Sequence, residues 1–277
     1  MSSLCFFNSV HATENIIVYN RNMNNDFVKT SIENIAKLSQ AAHGGFKLVA
    51  SEDMEQGDAF DALVKGEIDI LVTSATSQRE KNAKLINVPL DRGLLGFRLC
   101  LVHKDSDVFF GISDVQEFIT NEITIGVGEF WADRIIFEQN NFATVTSSTF
   151  SELFSMLAAK KFDCFSRSVN EISNELREHK ALDIKIEPKI VIIYPNADFI
   201  FVNPHKPELL LRFTQGMDLA IQNESYFQIF DTFFGNVLEQ HQIYERRLIF
   251  LQRDNISEKT LDSINKYGIA SFIQQGR

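Results

Sequence analysis

Few residues in this sequence stand in a pattern that could make or break bonds. The six histidines are scattered and never fall at metal-ligand spacing, so no metal site is expected. No nucleophile–histidine–acid set is recognisable. The richest stretch is Gly126-Val-Gly128-Glu129-Phe130-Trp131, a loop opening a helix after a strand. Gly126-x-Gly128 lacks the third glycine of a dinucleotide fingerprint, and no cofactor is expected. Glu129 is the one candidate general acid or base, and one carboxylate is a thin basis for catalysis. Cys100 and Cys164 sit far apart in apolar, strand-like contexts. Buried free thiols are their expected state, with a disulfide between them as the open alternative.

The bulk numbers exclude several classes. A net charge of −10 argues against a general binder of nucleic acid or anionic membranes, since both need a basic surface. It leaves room for an anionic small ligand, because a buried site has its own local field. No stretch approaches the roughly 18 to 20 apolar residues of a membrane span, so no membrane insertion is expected. The apolar Leu4-Cys5-Phe6-Phe7 and the small residues around Val10-His11-Ala12 read as the tail of a secretory signal cleaved after Ala12. The 25 phenylalanines read mainly as core filling.

Strand and helix signals alternate along the chain. Asn15–Tyr19 is a β-branched strand, followed by a helical stripe of Val28, Ile32, Ile35, Leu38 and Ala42 that stops at Gly44-Gly45. Phe46–Ala50 is a strand, Asp58 is placed to cap a helix carrying Phe60 and Leu63, and Ile68–Thr73 is a third strand. The pattern restarts with a strand at Ile123–Val127, a helix at Trp131–Gln139 and a strand at Phe142–Thr146. Thr149 and Glu152 form a capping-box pair opening the next helix, and a strand follows at Phe162–Phe165. Strands separated by helices imply parallel pairing through right-handed crossovers.

Two pieces correspond between these halves. Leu63–Asp69 and Leu157–Asp163 both run from a helix end through a tight turn to an apolar strand start, with Asp in the same place. Leu94–His103 alternates strictly, and Ile190–Tyr194 with Asp198–Val202 forms a matching return. Two crossovers, near 103 and near 196, imply a discontinuous first lobe and a two-strand hinge. The expected organisation is a residual signal segment over 1–12, a first lobe of 13–103 plus 198–277, and a second lobe of 104–197. Beyond Gln240 a helical extension wrapping the first lobe is expected, with Tyr244, Leu248 and Leu251 as its apolar stripe.

In this order and spacing the residues resemble the type II periplasmic solute-binding proteins, above all the branch serving amino-acid uptake. The resemblance covers about 15–240. It rests on Leu63-x-x-Gly66-x-x-Asp69, Thr76-Ser-Gln-Arg79, Val88-Pro89-Leu90, Ile125-Gly126-Val127-Gly128, Met156-Leu157 with Phe162-Asp163, and Glu224-Ser-Tyr226-Phe-Gln-Ile229. It implies an α/β fold of two lobes, each a mixed, mostly parallel sheet flanked by helices. It also implies a monomer that captures a small solute (amino acid, dicarboxylate or related anion) for an ABC-type transporter or a sensor in the periplasm.

In that family the Thr-x-x-Arg element anchors the ligand carboxylate, which points here to Thr76 and Arg79, with Thr73 and Ser74 at the strand end before them. A guanidinium offers a planar fork of donors that matches a carboxylate. The second lobe would contribute Gly128, Glu129, Phe130 and Trp131, with glycine letting backbone approach a ligand closely and Trp131 stacking on it or packing in its own helix. The sequence departs from the family twice. Arg167 stands near the position where amino-acid binders place an acid for the ligand's ammonium, and an arginine cannot accept one. If Arg167 faces the cleft, it would join Arg79 in favouring a ligand with two acidic groups. After the first strand the usual proline-aromatic pattern is missing, and Tyr19 and Arg21 are the substitutes.

Binding is therefore the expected function. An enzyme of the same fold, dehydratase-like or biosynthetic and using Glu129, is the first alternative. A degenerate lobe pair that binds a protein partner is the second.

Overall fold

A computed structural model describes residues 13–269. The expected signal segment, with Cys5, lies outside the described residues. Two sheets organise the chain. The first contains β1 (Glu14–Val18), β2 (Phe46–Ala50), β3 (Ile70–Ser74) and β4 (Lys84–Leu85). The second contains β5 (Phe97–His103), β6 (Thr124–Gly128), β7 (Ala143–Ser147), β8 (Cys164–Ser168), β9 (Ile184–Ile186) and β10 (Ile190–Ile193). The return strand β11 (Asp198–Val202) joins the first sheet, and β12 (Arg247–Phe250) joins the second.

The first sheet runs β2-β1-β3-β11-β4, and the second runs β12-β10-β5-β8-β6-β7 with β9 against β5. In each, three parallel strands (β2-β1-β3 and β7-β6-β8) meet an antiparallel return, β11 on β3 and β5 on β8. The two corresponding aspartates do the same work in the two lobes. Asp69 accepts the Ile17 amide of β1 at 2.9 Å, and Asp163 accepts the Thr124 amide of β6 at 2.9 Å. Each ties the turn before its strand to the neighbouring parallel strand.

Helices cover the sheets because their apolar stripes have nowhere else to go. The helix Asp26–Leu38 starts on Asn25, whose side chain accepts the Val28 amide, and buries Phe27, Val28, Ile32, Ile35 and Ala36. They pack with Ile16, Val72, Ile200 and Phe213 in the first core. Full burial of such side chains is worth about 1.5–3 kcal/mol each. The second sheet has a core on each face, one around Leu99, Leu153, Phe154 and Phe165, the other around Cys100, Phe118, Ile125 and Ile192.

Several expectations change in detail. Asp58 lies inside the helix Gln56–Lys65 and does not cap it; Glu55 precedes the helix. Thr149 makes no side-chain cap bond; its amide donates to the Ser147 hydroxyl at 3.0 Å, which donates in turn to the Glu152 carboxylate at 2.6 Å. Cys100 and Cys164 form a disulfide with Cα atoms 5.0 Å apart, where free thiols were expected. Cys100 stands opposite Ser166 in the β5–β8 ladder, so the diagonal neighbour Cys164 shares its face.

The lobe boundaries also move. Residues 97–103 belong to the second sheet, since β5 pairs with both β8 and β10, so the first crossover falls at 91–96 and not near 103. The second falls at 194–197. The two crossovers touch: Tyr194 N donates to Gly96 O at 3.2 Å, and a Cβ at Gly96 would collide with the Tyr194 carbonyl. The chain after Gln240 does not simply wrap the first lobe as a helix. Leu248 lies in β12, parallel to β10 in the second sheet, and among the described residues there the helical stretches are a 3-10 turn at Ile243–Glu245 and the α-helix Glu258–Tyr267. Arg247 heads the short apolar run Leu248, Ile249 and Phe250, and a charge at the head of a short strand suits the sheet edge that β12 occupies.

Candidate functional site

Between the lobes lies a cavity of about 280 Å³. Small-molecule sites span roughly 300–1,000 Å³, so this one suits a compact solute. Of the expected site residues, Tyr19, Arg21, Ser74, Arg79, Gly128, Glu129, Phe130, Trp131 and Arg167 line it. Thr73 and Thr76 stand behind this wall. The Thr73 hydroxyl accepts from Gln56 Nε2 at 2.8 Å and from Arg79 Nη1 at 3.1 Å, and the Thr76 hydroxyl accepts the Arg79 amide at 3.2 Å. Their role is to orient Arg79.

Arg79 also donates from Nη1 to Ser74 O at 2.8 Å and from Nη2 to the Phe130 carbonyl across the cleft at 3.2 Å. Its guanidinium sits 5.5 Å from the Phe60 ring. Among the described residues it has no carboxylate within ion-pair distance. Burial lowers it to about 10, with Asp133 and Asp198 opposing that shift. A half-buried cation given only neutral acceptors is prepared for an anion.

Arg167 is occupied. Its Nε donates to Glu175 Oε2 at 2.6 Å and its Nη2 to Glu171 Oε2 at 2.9 Å, with a further contact from Nη2 to Glu175 Oε1. The rings of Trp131, Phe150 and Phe165 surround it, with Trp131 at 4.7 Å. Burial opposes its charge, but Glu175 and Glu171 raise its pKa. Its donors are taken by two glutamates, so Arg167 is not free for the second anion its position suggested.

The remaining lining arginines are also paired. Arg21 meets Glu55 at 2.7 Å at the rim, and buried Arg98 meets Asp133 at 3.2 Å. Asp133 further accepts the Tyr194 hydroxyl at 2.5 Å. Tyr19 is buried with its hydroxyl donated to Met54 O at 3.1 Å, so it presents ring and not hydroxyl as a wall. Burial pushes that phenol up to about 12.

Gly126 and Gly128 owe their identity to aromatic packing within the second lobe. A Cβ at Gly126 would run into the Phe162 ring, and one at Gly128 into the Trp131 indole. Trp131 lies nearly parallel to Phe165, 13° between planes, while still lining the cavity. Glu129 and Phe130 are exposed at the mouth.

Sequence reasoning missed Arg98, Asp133, Glu171, Glu175 and Asp198, all of which line the cavity. Three had a signal. Glu171 and Glu175 follow Arg167 by four and eight residues. Arg98 was also visible as a charge inside an apolar strand. Asp198 had none. It is half-buried at the hinge with no cation at ion-pair distance among the described residues. Burial pushes its carboxyl well above the usual range, and Asp91, Glu171 and Asp133 push it further, against a partial pull from Arg98. Asp91, holding the amides of Gly93, Leu95 and Asp198, is raised by burial to about 7. Among the described residues no group of three or more His, Cys, Asp or Glu could hold a metal, and no helix is long and apolar enough to cross a membrane.

No family model matches the sequence, and no curated protein is similar to it in sequence. Solved structures do match. An ancestral arginine-binding protein bound to arginine superposes with a TM-score of 0.59 at 16% identity, over 81% of this chain and 99% of that one. The substrate-binding protein of an amino acid ABC transporter gives 0.56 at 17% identity, over 81% and 100%. The periplasmic VFT2 domain of Bordetella pertussis BvgS gives 0.57 at 15% identity, over 80% and 93%. The chain has the two-lobed type II periplasmic-binding-protein fold.

Proposed function

We propose that this chain is an extracytoplasmic solute-binding protein that closes over a small, carboxylate-bearing solute and presents the closed form to a membrane transporter or sensor. The observation that carries the reading is Arg79: of the arginines lining the cleft, it alone has no carboxylate partner among the described residues. A ligand carboxylate would supply it, and would favour the closed state because both lobes contribute to the seat. The structural neighbours named as an arginine-binding protein and an amino acid transporter's substrate-binding protein support the same reading. The Cys100–Cys164 disulfide supports an oxidising compartment.

The cleft's other charges favour a zwitterion over a dicarboxylate. Asp198 has no cation within ion-pair distance among the described residues, and Arg167 serves two glutamates. A carboxylate on Arg79 and an ammonium or guanidinium near Asp198 and Glu171 would satisfy both sides, the ligand's cation drawing the raised Asp198 carboxyl into its ionised form. No side-chain arrangement in the cleft favours the enzyme reading, since Glu129 stands exposed at the mouth.

Native mass spectrometry of the purified chain and a thermal-shift panel of amino acids, dicarboxylates and short peptides test this. At least one amino acid should raise the melting temperature, and Arg79→Ala should abolish that rise. Normal binding by Arg79→Ala contradicts the assignment, and preference for a dicarboxylate such as succinate contradicts the choice of a zwitterion.

A further inference from the structure

The chain passes between the lobes four times. After 91–96 and 194–197 it returns to the second lobe, where Ile243 is buried in the core and β12 pairs with β10. It then crosses back over 251–257 to the helix Glu258–Tyr267 on the first lobe, held by Ser263 Oγ to Asn87 O at 2.7 Å and Arg92 Nε to Tyr267 O at 3.1 Å.

Arg253 lies in the middle of this last crossing and is 7% exposed. Its Nη1 donates to Pro195 O at 2.8 Å and to Asn196 Oδ1 at 2.7 Å. Its Nη2 donates to Ala75 O, and its Nε to Asn255 Oδ1 at 2.9 Å. No carboxylate stands within ion-pair distance among the described residues. Four hydrogen bonds to three separate stretches of chain act as a rigid joint rather than as half of an ion pair.

What the joint holds is the seat of Arg79. Asn196 Oδ1 also accepts the Ser74 hydroxyl at 2.5 Å, and Asn255 O accepts the Ser77 amide at 2.8 Å. The strap thus grips residues 74–77 at both ends, at Ala75 O and at Ser77 N. Ser74 O is the acceptor that orients Arg79 Nη1. We propose that Arg253 is a positioning residue: the C-terminal strap uses it to fix the hinge segment 195–196 against the turn 74–77, and so sets where Arg79 meets the opposite lobe and the solute. This rests on the solute-binding reading for its effect on affinity, but not for its effect on the empty cleft.

The test uses the full chain with Arg253→Met, Arg253→Lys, Asn255→Ala and, for comparison, Arg79→Ala. Acrylamide quenching of Trp131, the only tryptophan, reads how well the ligand-free cleft is closed. Thermal shift with L-arginine, L-glutamine and succinate reads affinity. Arg253→Met should raise quenching as Arg79→Ala does, and weaken the best-binding probe about tenfold, the equivalent of about 1.4 kcal/mol. Arg253→Lys and Asn255→Ala should fall between Arg253→Met and the unmodified chain. A lower melting temperature with unchanged quenching and affinity marks Arg253 as merely structural and overturns the proposal. If Arg253→Met does not fold, unmodified values in both milder variants overturn it. If no probe binds the unmodified chain, that failure belongs to the solute-binding reading, and quenching alone decides this one.

Discussion

Arg79 and Phe130 meet across the cleft, the guanidinium of one lobe donating to the main-chain carbonyl of the other at 3.2 Å. The group proposed to seat the solute is therefore also a latch between the lobes. Phe130 is held on the other side by its ring lying over Gly57, where an added Cβ would come within 3.0 Å of the ring.

Gly57→Val should loosen that mouth. The branched side chain displaces the Phe130 ring, an exposed group that can move aside, so the fold survives while the latch weakens. Small-angle scattering of the ligand-free protein should show a larger radius of gyration. An unchanged radius would mean that the Phe130 ring moves aside without disturbing the main-chain latch, and contradicts this prediction.

Arg167→Met should be strongly destabilising, by about 3–5 kcal/mol, because two glutamates then lose the cation that compensates them in a buried cluster. Adding Glu175→Gln should recover part of the loss. Urea denaturation of the single and double variants measures both. The single variant should gain stability relative to the unmodified chain as pH falls, since protonation removes the uncompensated charges.

Asp198→Asn should separate stability from binding. Its folded pKa is raised above the unfolded value, so the native state keeps its proton more tightly. Stability then falls as pH rises above about 4, where the unfolded carboxyl ionises first. The groups acting on it are Asp91, Glu171, Asp133 and Arg98, and Asp91, raised to about 7, adds a slope of the same sign between about pH 4 and 7. Asparagine removes the Asp198 share, so the melting temperature at neutral pH should rise. Affinity for a cation-bearing solute should drop meanwhile, and a variant that melts lower at pH 7 contradicts the account.

Reduction of Cys100–Cys164 should cost about 2–4 kcal/mol, as expected for a crosslink closing a long loop. Melting scans with and without dithiothreitol, beside the Cys100→Ser/Cys164→Ser double variant, should agree with one another. Reductant should leave the double variant unmoved.

The sequence by itself determined the two similar lobes, because hydrophobic periodicity and turn residues are local properties. The repeated helix–turn–strand unit ending in Asp69 and Asp163 was legible for that reason, and so was the placing of Arg79 beside Thr76. Whether a charge is spent or free is not local. Only the folded chain brings Glu171 and Glu175 onto Arg167, leaves Arg79 without a carboxylate among the described residues, and sets Asp198 beside Asp91 at the hinge. The partners of Arg253 come from positions about 60 and 180 residues away, a distance over which no periodicity carries information. The disulfide was likewise decided by register, since sheet pairing alone places Cys100 diagonal to Cys164.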